Sequence, residues 1–474
     1  MNTLQKKIIS VLLICALFVA GIVVVKKGSQ AKEEATGQKT EQQSAGLNAG
    51  VTSELMAALS DGQSTELVAG GQMAEDAEAT EAQMAEEAET TETQMAEEVE
   101  TTEVQTSEQV AVAALPEYTV DVSEKTKKSY EKAKTDLTFW YEDESYQAFF
   151  EAAALSYYEE TGKKVAVQCQ DTVDFMGDVY DKTMQDEAFP DVYLISGDNL
   201  EEAYLYGLVS VNEKGLDEVN VAKNAKTAST YGDKLLGYPL SYNTTVFIFQ
   251  TDYFGEAPES LQAIIDYSNE NEPAENVEYL LEWDVNDPFY DFPFVSNSVT
   301  FEKNEANSMN VVYDEELYQQ DLEYFDGILA SFSVDVTTVS EKEIVENFLA
   351  GRTLSAIIDT DSLYKLDNYD YSLMLMPSLN DTLATKSCAS TDMLVVNDYS
   401  KNRDEASEFA YFATVTMASE LYPLTGHFSV IPSETPSWVE QVSNEAYESA
   451  VLMPDSQDAK DFWVKLEETI SKYF

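Results

Sequence analysis

Histidine is nearly missing from this sequence: His427 is the only one in 474 residues. Proton transfer through several imidazoles and multi-histidine metal centres are therefore not expected, and a lone histidine reads as a packing residue. Cysteine is almost as scarce. Cys15, Cys169 and Cys388 lie far apart and form no CxxC, which removes zinc ribbons and thioredoxin-like pairs. Cys169 and Cys388 read as buried free thiols, with one disulfide as the alternative. No cofactor or metal is expected. Basic residues are few, 28 Lys and Arg against 88 Asp and Glu, for a formal net charge of −60. Phosphate backbones and anionic membranes need clustered cations, so no nucleic-acid partner is expected and a neutral or cationic ligand is favoured.

Long apolar runs are also absent, except at the N-terminus. After Lys6 and Lys7, residues 8–25 are interrupted only by Ser10, long enough to span or nearly span a bilayer. Lys26 and Lys27 sit where a signal-peptide cleavage region is uncharged, so an uncleaved anchor is expected, with cleavage after Ser29-Gln30-Ala31 as the alternative. Cys15 lies in mid-run after Leu12-Leu13-Ile14, without the small residue a lipidation site needs. Residues 28–117 carry twenty Asp or Glu against Lys32 and Lys39 and no Phe, Trp or Tyr, so no core can form there. Gln-Met-Ala-Glu recurs at Gln72, Gln83 and Gln94. An eleven-residue period could wind a right-handed supercoil, but one Met per repeat is a thin seam. A solvated, self-repelling spacer is the expectation.

From residue 118 onward the composition turns globular, and the chain is long enough for two cores. Leu137-Thr138-Phe139-Trp140-Tyr141 reads as a strand. Residues 146–161 have helical apolar spacing and end at Gly162, a natural C-cap. Val165–Cys169 and Val192–Ile195 read as further strands with a helix between. Alternating strands and helices predict an α/β fold with a parallel sheet covered on both faces. Ligands of such sheets lie beyond the C-terminal ends of the strands, where residues 141–145 and 196–199 fall.

The order of motifs resembles a known family, the extracellular solute-binding proteins of ABC sugar importers, maltose/maltodextrin-binding type. The likeness runs over about 340 residues, from Phe139-Trp140 and Glu159-Glu160-Thr161-Gly162-Lys163-Lys164-Val165 to Pro190-Asp191-Val192 and Gly207-Leu208-Val209. It continues through Tyr231-Gly232-Asp233-Lys234-Leu235-Leu236-Gly237-Tyr238-Pro239 to Phe348-Leu349-Ala350-Gly351-Arg352. The best local matches are Asn286-Asp287-Pro288-Phe289-Tyr290-Asp291-Phe292-Pro293 and Met453-Pro454 followed by Asp461-Phe462-Trp463. The resemblance implies a two-lobed periplasmic-binding-protein-like fold (type II). The first lobe would be about 135–241 and 378–427, the second about 246–373 and 433–474, with hinge crossings at 238–245, 373–377 and 427–432. It also implies a monomeric, non-enzymatic receptor with its binding domain extracellular that delivers a sugar to ABC permease subunits, and the apolar N-terminal run would anchor it at the cell membrane.

Sugar recognition needs flat apolar surface for a pyranose C–H face and fixed polar groups for its hydroxyls. The resemblance points to Trp463, Phe289, Tyr242 and Phe292 for stacking, and to Asp287, Asp198, Glu144 and Glu142 as acceptors. Asn243 stands where the family has a carboxylate. Asp359-Thr360-Asp361-Ser362 replaces the family's Asn-Gly-Pro-Trp, so one aromatic is missing unless Tyr364 substitutes. The added acids Glu142-Asp143-Glu144 keep a cationic or peptide-like solute, such as a polyamine or amino sugar, as the alternative ligand. An exported hydrolase and a tethered sensor or adhesin on the same fold are the rival classes.

Overall fold

The computed structural model describes residues 112–474, apart from 116, 186, 213, 304–308, 333–339, 455 and 474. The expected anchor and nearly all of the acidic repeat segment lie outside the described residues. No helix among the described residues is long and apolar enough to cross a membrane.

The chain enters through α1 (Glu124–Lys132), capped by Ser123, and alternates strictly thereafter: β1 (Thr135–Tyr141), α2 (Gln147–Thr161), β2 (Lys164–Cys169), α3 (Phe175–Met184), β3 (Val192–Ser196) and α4 (Leu200–Leu205). Strand β1 pairs in parallel with both β2 and β3. Helix α2 buries Phe149, Phe150, Ala153, Ala154 and Tyr157, the spacing that lays one helical face on a sheet, and stops at Gly162, whose φ of 73° is left-handed. Full burial of each such ring contributes roughly 2 kcal/mol. Trp140, Tyr193 and Ile195 point to the opposite face and pack on Phe175, Val179 and Leu200, so helices cover both sides of this sheet.

After α5 (Lys223–Ala228) and the hairpin of β4 (Thr230–Tyr231) with β5 (Lys234–Leu235) comes β6 (Gly237–Phe249), thirteen residues long. It belongs to two neighbourhoods. Residues 237–244 pair with β11 (Cys388–Val396), while residues 245–249 pair with β9 (Ser355–Asp359) and β10 (Ser372–Met374). Strand β11 runs antiparallel to β6 and β3, so the sheet, in order β10-β6-β11-β3-β1-β2, is mixed, not parallel throughout. The first expected crossing at 238–245 is the middle of β6.

Around the second half of β6 lie α6 (Thr251–Phe254), α7 (Leu261–Glu270), α8 (Pro288–Val295), the hairpin of β7 (Val299–Lys303) and β8 (Met309–Tyr313), α9 (Glu315–Phe332) and α10 (Glu341–Leu349). All but α10 share a core of Phe247, Trp283, Phe292, Phe294, Phe325 and Ile357, while α10 lays Ile344, Val345 and Phe348 on the other face of the strands, with Val246, Ile248 and Ile358. The chain does not return to the first lobe at 378. Leu379 and Leu383 are buried in this second core, and the chain enters the first sheet only at Cys388. Helices α11 (Arg403–Tyr411) and α12 (Ala418–Thr425) complete the first lobe, and Ser429 then bridges Ser241 at the third crossing. α13 (Trp438–Ser449) packs against β6 through Tyr447, whose ring lies 4.2 Å from that of Tyr242. β12 (Val451–Leu452) pairs with β11, and α14 (Gln457–Ile470) closes the second core with Phe462 and Leu466. Both described cysteines are free, Cys388 buried but Cys169 exposed at the end of β2, the edge strand of the sheet.

Candidate functional site

The site is built where β6 and β11 pass from one lobe to the other. On β6, side chains alternate. Tyr242 points into the core, 1% exposed, between Tyr447 and Phe428, which leaves it no free face for a ligand. Asn243 points the other way. Its Nδ2 donates to Asp359 Oδ2 at 2.9 Å, and its Oδ1 accepts from the backbone N–H and hydroxyl of Thr360 at 3.2 and 3.0 Å. The amide thus clamps the loop that follows β9.

Asp287 caps α8, accepting the Phe289 N–H at 2.9 Å, with Pro288 pre-set for the first turn. Its carboxylate is exposed on one side and has protein on the other. Loss of water pushes its pKa up, the capping bond opposes this, and the charge of Asp359 adds to it. Phe289 is half-buried, edge-on to Tyr290 at 5.5 Å. Phe292, one turn deeper, is fully buried against Phe301, Phe462 and Trp463, so it supports the aromatic wall from behind and has no face for a ligand. Trp463 is half-buried on α14, 5.4 Å from the Phe292 ring and 4.9 Å from that of Phe462.

Between the lobes runs a groove of about 420 Å³, with Gly197, Leu200 and Tyr231 on one wall and Phe301, Met453 and Pro454 on the other. Asp198 sits beside it and accepts from Asn199 Nδ2 at 3.2 Å. Farther along, Glu202 of α4 and Lys460 of α14 join across the lobes at 2.6 Å, one helical turn before Trp463.

A second group of polar residues, which the sequence reading did not assemble, centres on His427. Its Nε2 lies 2.7 Å from Ser145 Oγ, its ring stacks on Tyr146 at 4.3 Å, and its Nδ1 lies 2.8 Å from Asp361 Oδ1. That last contact is off the line of a good hydrogen bond, so its attraction is mainly ionic. The Tyr146 hydroxyl donates to Asp392 Oδ2 at 2.7 Å and pairs with Ser241 Oγ at 2.6 Å. Burial lowers the pKa of His427, but the carboxylates of Asp361, Asp392 and Asp143 outweigh it and raise it overall. Burial pushes Asp392 up to about 7, the Tyr146 bond opposes this, and the charge of Asp361 adds to it. Glu341, beside Asp359, is likewise pushed up by burial and by that carboxylate, with Lys365 opposing at 3.8 Å.

Ser145, His427 and Asp361 stand in the order of a hydrolytic triad, yet the surroundings do not suit one. The Ser145 N–H already donates to Asp143 Oδ1 at 2.8 Å, and the Tyr146 N–H to the Asp143 carbonyl at 3.2 Å. Neither is left to hold an oxyanion, and three carboxylates stand where negative charge would develop. The network positions groups without activating a nucleophile.

The remaining candidates are dispersed. Glu144 is exposed, and its charge is felt at Cys169 and Tyr141, away from His427; Asp143 and Ser145 face the crossing instead. Glu142 is exposed too, its pKa raised by burial and by Asp143 and Asp174, the latter at the start of α3. Tyr364 lies against Gly426, where any Cβ would come within 2.5 Å of its ring and where φ is 81°. It is half-buried packing beside the His427 turn. No cluster of three metal-ligating side chains occurs among the described residues.

No family model matches the chain, and no curated protein matches it in sequence. Solved structures match its fold. The extracellular solute-binding protein from Staphylococcus aureus in complex with maltose is 18% identical with a TM-score of 0.59, over 72% of this chain and 93% of that one. A cyclo/maltodextrin-binding protein complexed with maltotetraose is 16% identical with a TM-score of 0.61, over 72% and 92%. The maltotriose binding protein of Thermus thermophilus, bound with maltotriose, is 17% identical with a TM-score of 0.56, over 71% and 94%. At these identities the likeness shows the fold, which is that of the maltose- and maltodextrin-binding solute-binding proteins.

Proposed function

We propose that the chain is an extracytoplasmic receptor that takes a carbohydrate between its two lobes and hands it to an ABC permease. The observation that carries this reading is the interlobe groove in a solute-binding fold, where Tyr231 and Phe301 stand beside Glu201 and Asn224; Trp463, Phe289, Asp198, Asp287 and Asn243 are the residues proposed to extend it. Aromatic faces cover a sugar's C–H surface, and carboxylates accept its hydroxyls. Binding that favours the closed arrangement links ligand to lobe closure. The N-terminal apolar segment would hold the receptor at the outer face of the cell membrane, with the acidic repeats as its tether.

The concentration of Asp143, Asp287, Asp359, Asp361, Asp392 and Glu341 at the crossing favours a second reading, a receptor for a cationic solute such as a polyamine or amino sugar. Calorimetric titration of the full-length chain with neutral oligosaccharides and with polyamines, each at low and high salt, separates the two. Salt-insensitive binding of a neutral saccharide supports the carbohydrate reading. Binding confined to cations and lost with salt overturns it.

A further inference from the structure

A cavity of about 520 Å³ opens on the first lobe between the start of α3 and the end of α4, in the range of pockets that hold small ligands. Its walls include Asp174, Met176, Tyr180, Asn199, Glu202 and Tyr206. Tyr180 and Tyr206 are 41% and 58% exposed, yet their rings touch, 5.8 Å apart and inclined at 58°. Single exposed aromatics on a surface need no explanation, but two in contact on the wall of a cavity form a corner of apolar surface beside carboxylates and an amide. That is the same chemical pairing as in the groove.

The cavity is tied to the groove by two contacts. Asn199, on its wall, donates to Asp198 at 3.2 Å. Glu202, also on its wall, holds Lys460, which precedes Trp463 by one turn of α14. One edge of the cavity is the capped start of α3. Asp174 caps α3 by accepting the Gly177 N–H at 2.8 Å, and a Cβ at Gly177 would come within 2.3 Å of that carboxylate.

We infer that the Tyr180–Tyr206 cavity is an extension subsite that binds the outlying units of a long oligosaccharide whose leading units occupy the interlobe groove. This rests on the carbohydrate reading above and adds a length preference to it. The Glu202–Lys460 pair stands between the two parts, so a long ligand passes it, its hydroxyls donating to Glu202 and accepting from Lys460.

The test is calorimetric titration of the full-length chain with linear α-1,4-glucans of two to seven units. Wild-type affinity should rise with length, and Tyr206→Ala should erase that rise, about a tenfold loss for the longest glucan, while binding of the disaccharide is unchanged. Tyr206→Phe keeps the ring and should keep the rise. Tyr180→Ala, on a different helix, repeats the measurement should Tyr206→Ala fail to fold. Affinity independent of length in the wild type, or an equal loss for short and long glucans in the variant, overturns the extension and leaves the groove standing. Binding of no glucan by the wild type removes the carbohydrate reading for this series and the extension with it.

Discussion

Asp392 offers the sharpest check on the electrostatics of the crossing. It lies on β11 and accepts the Tyr146 hydroxyl at 2.7 Å, with Asp361, His427 and Asp143 as its charged neighbours. Its carboxyl titrates at about 7 in the fold, against about 4 in an unfolded chain. Between those two values the folded protein holds a proton that the unfolded chain has released, so stability must fall as pH rises through the interval. His427 acts in the same sense. Its raised pKa gives stability that is complete below about 6.5 and is lost as pH climbs through the folded value.

A carboxyl displaced from about 4 to about 7 is worth up to about 4 kcal/mol. Asp392 keeps some contact with water and shares its field with three other charges, so about 2 kcal/mol is the working figure. Asp392→Asn keeps the shape and the bond to Tyr146 but has no proton to lose. We predict that the stability difference between pH 5 and pH 8 shrinks by about that amount, the variant becoming the more stable protein at pH 8. Urea unfolding of the full-length chain, followed by tryptophan fluorescence at pH 5, 6.5 and 8 and constant ionic strength, measures it directly. The net charge of −60 also gives the wild type a loss of stability at high pH, which is why the comparison with the variant decides. An unchanged pH dependence in Asp392→Asn would refute the reasoning.

Three further outcomes are expected. Trp463→Ala should weaken a bound oligosaccharide about thirtyfold, the usual cost of roughly 2 kcal/mol for truncating a buried contact aromatic; an unchanged Kd by calorimetry removes α14 from the site. Asp287→Asn retains the cap on α8, since Asn caps as well as Asp, and should cost a neutral sugar about 1–2 kcal/mol at any salt concentration. A loss that vanishes as salt is added would identify a cationic ligand. Ligand taken between the lobes should reduce the radius of gyration in solution scattering, and tight binding without compaction would place the site elsewhere.

The alternating elements of the first lobe were legible because each carries a local signal, such as the β-rich run at 137–141 or the left-handed stop at Gly162. The site was legible only in part. The resemblance pointed to Asp287, Phe289 and Phe292 alike, but Phe292, three residues on from Phe289, lies one turn deeper, and no local pattern marks where a helix leans into its core. Tyr242 and Asn243 are neighbours on a strand whose faces meet a core on one side and the loop after β9 on the other. Near-continuous burial along β6 hides which is which. His427 read as packing because its partners, Ser145 and Asp361, are 282 and 66 positions away, and only the third crossing brings them together. The same distance hid the late return of the chain at Cys388, since residues 378–387 look like any loop until Leu379 and Leu383 are found in the second core.

Acidic composition invites a cationic ligand, but the crossing weakens that inference. Burial raises the pKa of all four of Asp287, Glu341, Asp361 and Asp392, and pushes Glu341 and Asp392 up to about 8 and about 7, so those two hold protons at pH values where exposed carboxyls have lost them. A protonated carboxyl donates one hydrogen bond and accepts others, a pattern that suits a hydroxyl, which does the same. A cation gains most from carboxylates that are already ionised, and here part of its binding energy would go into driving protons off buried acids. Cation binding would therefore release protons, and titration in buffers of different ionisation enthalpy would show it as a buffer-dependent heat. A neutral saccharide should give nearly the same heat in each buffer. The buried carboxyl groups of the crossing, Glu341 and Asp392 above all, are thus better matched to a polyhydroxy ligand than to a cation.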